Sequence, residues 1–99
     1  MFISKIANAH ATATATQYVT VPRDDCRGTQ ITVGVDIAGG TARTCQFQIA
    51  FDQNGPWFNV GTSRTAIGQF VELIPAAPLV RLNVSANTGS TFNAWAAGN

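Results

Sequence analysis

This chain carries little charge. Only 11% of its 99 residues are Asp, Glu, Lys or Arg, where an average soluble domain carries about 25%. The formal net charge is +1. The five arginines, Arg23, Arg27, Arg43, Arg64 and Arg81, are scattered. That excludes a basic nucleic-acid module, whose phosphate contacts need a concentrated basic face. An acidic tail protein is excluded as well. A disordered chain would need low hydrophobicity and high charge, and here 45% of residues are hydrophobic. Long apolar runs are also missing. No stretch approaches the ~18 consecutive apolar residues of a membrane helix. The start lacks a basic segment, and Lys5 and Asn8 interrupt any apolar one. It therefore reads as a mature N-terminus.

Catalytic groups are nearly as scarce. There is no Gly-x-Ser-x-Gly elbow, phosphate loop or His-Glu-x-x-His motif. His10 is the one imidazole, and a catalytic His needs orienting partners. It reads as an ordinary exposed side chain. Asp24 and Asp25 are adjacent in a polar loop, flanked by Arg23 and Arg27. Local neutralisation is simpler there than a Ca²⁺ site, which needs about six to eight oxygens. Cys26 and Cys45 cannot hold zinc unaided, because zinc takes four ligands, and their spacing is not Cys-x-x-Cys. They read either as two reduced thiols or as a bridge formed after release from the cytoplasm. No cofactor is expected, and no enzyme.

What the chain does have is alternation. Period two dominates, and no window of helical length has apolar residues at i, i+3, i+4, i+7. From His10, Ala11, Ala13 and Ala15 alternate with Thr12, Thr14 and Thr16, then run into Tyr18–Val21. This predicts one long strand. Pro22–Gly28 is a polar loop. Ile31, Val33, Val35 and Ile37 share a face, and Gly39-Gly40 turns the chain. Cys45, Phe47, Ile49 and Phe51 point inward on the next strand. Asn54-Gly55 predicts a type I′ hairpin turn, followed by a strand from Trp57 to Gly61. Residues 67–74 carry apolar side chains of both parities and read as covered on both faces. Two more strands follow, at 79–86 and 91–96.

About seven strands at 8–12-residue spacing predict an all-β fold. The expected form is an antiparallel β-sandwich or jelly-roll-like barrel. Residues 1–9 read as an extended N-terminal arm, and 10–99 as one domain. Trp57 and Phe58 point to opposite faces of one strand, and Trp95 opposes Phe92. Each Trp has three readings: filling a sandwich edge, a protein–protein contact, or sugar stacking. Tyr18, Trp57, Arg81 and Trp95 are the candidate interface residues. Arg81 points outward and is placed to pair with carboxylates on its exposed face.

The runs Phe47–Thr62, Gly68–Leu73 and Pro78–Val84 resemble a pattern of small β-sandwich structural proteins of tailed bacteriophages. In those proteins a strand ends in an Asp/Asn-Gly turn and a Trp, and a later strand carries a Val-Arg-Leu-x-Val-like run. The likeness covers residues 44–97 and carries no chemical motif from which binding residues transfer. It implies a non-enzymatic virion component, made in the bacterial cytoplasm. Such proteins decorate or cement capsids, or serve as fibre and tail accessories, commonly as trimers or larger symmetric sets. The implied partners are the major capsid protein or other virion proteins, and further copies of the chain. Neither nucleic acid nor membrane is expected. Residues 1–9 or the Ala-Thr strand would be suited to add an edge strand to a neighbour. The competing expectation is a carbohydrate- or host-surface-binding module, with Trp57 and Trp95 as stacking platforms.

Overall fold

A computed structural model describes residues 2–22 and 30–98. Arg23–Thr29, which includes Asp24, Asp25, Cys26 and Arg27, lies outside the described residues. Among the described residues eight strands form: β1 (Phe2–His10), β2 (Val19–Thr20), β3 (Gln30–Ala38), β4 (Ala42–Ala50), β5 (Phe58–Arg64), β6 (Gly68–Pro75), β7 (Leu79–Thr88) and β8 (Thr91–Gly98). They make two antiparallel four-stranded sheets, ordered β1-β8-β3-β6 and β2-β7-β4-β5. The all-β sandwich expected from alternation is present.

The inner faces follow the parity of the sequence. Ile31, Val33, Val35 and Ile37 on β3 meet Cys45, Phe47 and Ile49 on β4. Val80, Leu82 and Val84 on β7 and Phe92, Ala94 and Ala96 on β8 complete the core. Phe92, Leu82 and Ile74 are fully enclosed. Burial of this kind stabilises by about 1.5–3 kcal/mol for each large side chain.

Three expectations fail at the ends of strands. Phe2–His10 is not a free arm: it pairs with β8 and sends Phe2, Ile6 and Ala7 into the core. Register shifts after Lys5 and Ala7 break its alternation, which is why the sequence hides it. The Ala-Thr run is not a strand. It carries the chain from the edge of one sheet to the edge of the other, so it cannot stay in one ladder. Its backbone is held by Thr16 N–H donating to the Leu82 carbonyl at 2.9 Å and Leu82 N–H donating to Thr16 Oγ1 at 3.0 Å. Phe51 lies beyond β4 and is 68% exposed, packed edge-on against Phe58.

The turns show the same limits. Gly39 and Gly40 both have positive φ (74° and 76°), as their sequence predicts, but they join strands of different sheets. The Asn54-Gly55 turn is not type I′, because Asn54 has no positive φ. Gly55 N–H donates to the Asp52 carbonyl and Asn54 N–H to Asp52 Oδ1. The Asp side chain thus shapes the turn, and the Gly55–Pro56 bond that follows is cis.

A charged clasp joins the open edges of the two sheets. Glu72 on β6 accepts from Arg64 Nη2 at 2.8 Å and from the Thr62 N–H at 2.9 Å, both on β5. Gly61 has φ 72°, and a Cβ there would collide with the Glu72 carboxylate. The carboxylate therefore reaches the β5 backbone only because residue 61 is Gly.

Candidate functional site

Three of the four candidate interface residues meet on the outer face of β2-β7-β4-β5. Arg81 lies between Tyr18 and Gln48 across the strands, because Val80 pairs with Val19 and Arg81 with Gln48. Trp57 sits at the entrance to β5. The Arg81 guanidinium stacks on the Trp57 ring, 4.0 Å from its centroid. Tyr18 lies 6.0 Å from the same ring, and its hydroxyl donates to Gln53 Oε1 at 3.3 Å. Arg81 Nε donates to Gln48 Oε1, and Gln48 Nε2 donates to Asn59 Oδ1, both at 2.9 Å. A row of planar side chains thus runs Trp57–Arg81–Gln48–Asn59.

This row fixes the arginine. Its Nε donates to Gln48 and one flat side lies over Trp57. Burial lowers its pKa. The expected carboxylate pairing is not found: among the described residues the only ion pair is Arg64–Glu72. Among the described residues this partly desolvated guanidinium has no carboxylate partner.

Trp95 lies elsewhere, on the outer face of β1-β8-β3-β6. It therefore cannot form one platform with Trp57. Its neighbours across the strands are Lys5 and Gly34, and Val71 follows beyond Gly34. Lys5 Nζ sits 5.4 Å from the Trp95 ring centroid. Between Trp95 and Val71, the missing side chain of Gly34 leaves an open dent of about 220 Å³. Val71 and Leu73 were expected to be covered. They are 72% and 58% exposed, and Ile3 is 69% exposed. This apolar face was missed in the sequence. Its signal was the parity of Val71 and Leu73, opposite to Ile74.

His10 makes no catalytic arrangement among the described residues. Its Nε2–H donates to the Thr14 carbonyl at 3.0 Å, with Thr12 and Thr14 hydroxyls nearby. The ring rests edge-on to Phe92. No group of three or more His, Cys, Asp or Glu gathers among the described residues. Cys45 is a free buried thiol. Burial pushes its pKa up to about 11, with Arg64 opposing and Glu72 adding to the rise. A buried neutral thiol is a poor nucleophile. Among the described residues no helix is long and apolar enough to cross a membrane.

Neither a family model, a curated protein nor a solved structure matches this chain.

Proposed function

We propose that the protein is a non-enzymatic virion structural protein, a bacteriophage capsid decoration protein. In this reading it binds the major capsid protein lattice as a symmetric oligomer and stabilises it. The observation that carries the proposal is the Tyr18–Trp57–Arg81 cluster on an outer face with few charges. Tyr, Trp and Arg are the residues that dominate binding energy at protein interfaces. A face with few ions to desolvate can lie against a neighbour at small cost. Repetition over a lattice then converts modest contacts into large avidity.

The strand order supports the same reading. Strand β1 pairs with β8, β2 with β7, β3 with β6 and β4 with β5. These are the rungs of one long hairpin rolled on itself, which we read as a jelly roll. That architecture recurs in viral capsid and lectin domains, an analogy at the level of fold alone. The motifs of residues 44–97 that resemble tailed-phage structural proteins point the same way.

A carbohydrate-binding module is the second reading. It is favoured by Trp57 beside Arg81, Gln48 and Asn59, whose amides and guanidinium suit sugar hydroxyls. Co-sedimentation with phage shells stripped of accessory proteins tests the first reading, and a glycan array tests the second. The decoration reading expects saturable shell binding, lost in Trp57→Ala and Arg81→Ala. Glycan binding abolished by Trp57→Ala, with no affinity for shells, would overturn it.

A further inference from the structure

The outer face of β1-β8-β3-β6 sets exposed apolar side chains beside a dent. Its side chains form three rows across the sheet. The first is Ile3, Ala97, Thr32, Leu73; the second is Lys5, Trp95, Gly34, Val71. The third contains Asn93, Asp36 and Gln69. Four of the exposed large apolar residues lie here: Ile3, Val71, Leu73 and Trp95. A bulky ring thus stands one strand away from a residue with no side chain.

We propose that this face is a two-fold interface with a second copy of the chain. The axis runs along the strands, between β8 and β3. A rotation about it exchanges β8 with β3 and β1 with β6, and keeps each row opposite itself. Trp95 of each copy then enters the dent over the other copy's Gly34. Ile3 meets Leu73. The Asn93 amide meets the Asp36 carboxylate, because its Oδ1 is already taken by the Ala9 N–H at 3.0 Å. Lys5 falls at the rim, where its stem covers Val71 and its ammonium stays in water.

Charge and area agree with this occupant. The rows carry one cation, Lys5, and one anion, Asp36, so the face is neutral and does not repel its own copy. Four strands about 4.8 Å apart, side by side over three rows or about 20 Å, give roughly 400 Å² per copy. Two copies bury roughly 800 Å², in the range of weak, transient contacts. The expected product is a weak, concentration-dependent dimer, in place of the threefold set implied by the phage resemblance. It leaves the Tyr18–Trp57–Arg81 face free.

Sedimentation velocity across a wide concentration range tests the proposal. Wild type is expected to pass from monomer to dimer. Val71→Lys and Trp95→Ala are expected to raise the dissociation constant at least tenfold while keeping the native circular dichroism. Trp57→Ala, on the other sheet, is expected to leave it unchanged. A second arm uses Ile3→Cys with Leu73→Cys in a Cys26→Ser background. Those positions are three strands apart, roughly 14 Å, too far to bridge within one chain. Mild oxidation is expected to give covalent dimers. A monomer at every concentration, a trimer, or a dimer indifferent to Val71→Lys overturns the proposal. Each of these results leaves shell binding through Trp57 to stand or fall separately.

Discussion

Removing the Glu72 carboxylate is expected to loosen the open edge between β5 and β6. Glu72→Ala leaves Arg64 without its partner and the Thr62 N–H without its acceptor. Breaking a fully buried pair costs about 3–5 kcal/mol, and an exposed pair at most about 1. The two side chains are 24% and 16% exposed, so the contact lies between these limits and nearer the buried one. The expected loss is about 2–3 kcal/mol. For a domain of this size that corresponds to roughly 10–20 °C in Tm. Glu72→Gln keeps an oxygen for Thr62 but loses the charge, and is expected to cost about half as much. Urea unfolding followed by Trp fluorescence reads both, and a double-mutant cycle with Arg64→Ala isolates the pair. A loss below about 0.5 kcal/mol for Glu72→Ala, or no coupling in the cycle, would refute the clasp.

Two further outcomes follow from the same geometry. Gly40→Ala is expected to cost about 2–4 kcal/mol, because its φ is 76° and a Cβ would sit 2.5 Å from the Thr88 carbonyl and 2.6 Å from Ser90; thermal unfolding checks this. Cys45 makes stability depend on alkaline pH. Its thiol ionises near 9.0 when unfolded and near 11 when folded, chiefly because it is buried. The unfolded chain therefore releases the proton first. Stability is complete below pH about 8.5 and falls by on the order of 2 kcal/mol as pH rises towards 11. Denaturant midpoints against pH are expected to show that fall in wild type and a smaller one in Cys45→Ala.

How much of this was legible in the sequence depends on range. Alternation located the cores of β3, β4, β7 and β8, because each strand has one buried and one exposed face. It failed at β1, where register shifts break the period, and at Ala11–Gln17, where the chain changes sheets. Parity assigns a residue to a face and says nothing of which sheet carries it. Tyr18, Trp57 and Arg81 were individually visible as outward or ambiguous residues. Their meeting rests on β2 and β5 flanking β7 and β4, a non-local fact. Trp95 looked equivalent to Trp57 and lies on the opposite sheet. The Arg64–Glu72 clasp was invisible for the same reason: it spans two sheets at their edges. Low charge was the first feature seen. It corresponds to two outer faces with few charges, one aromatic and polar around Arg81, the other apolar and notched.

The proposed function rests on the Tyr18–Trp57–Arg81 face binding a virion lattice. A cryo-electron microscopy reconstruction of stripped phage shells incubated with the pure protein tests it most directly. Density is expected at fixed symmetry positions, with Trp57 and Arg81 against the capsid protein and empty positions for Arg81→Ala. Bare shells at saturating wild-type protein, or bound protein with that face turned to solvent, would contradict it.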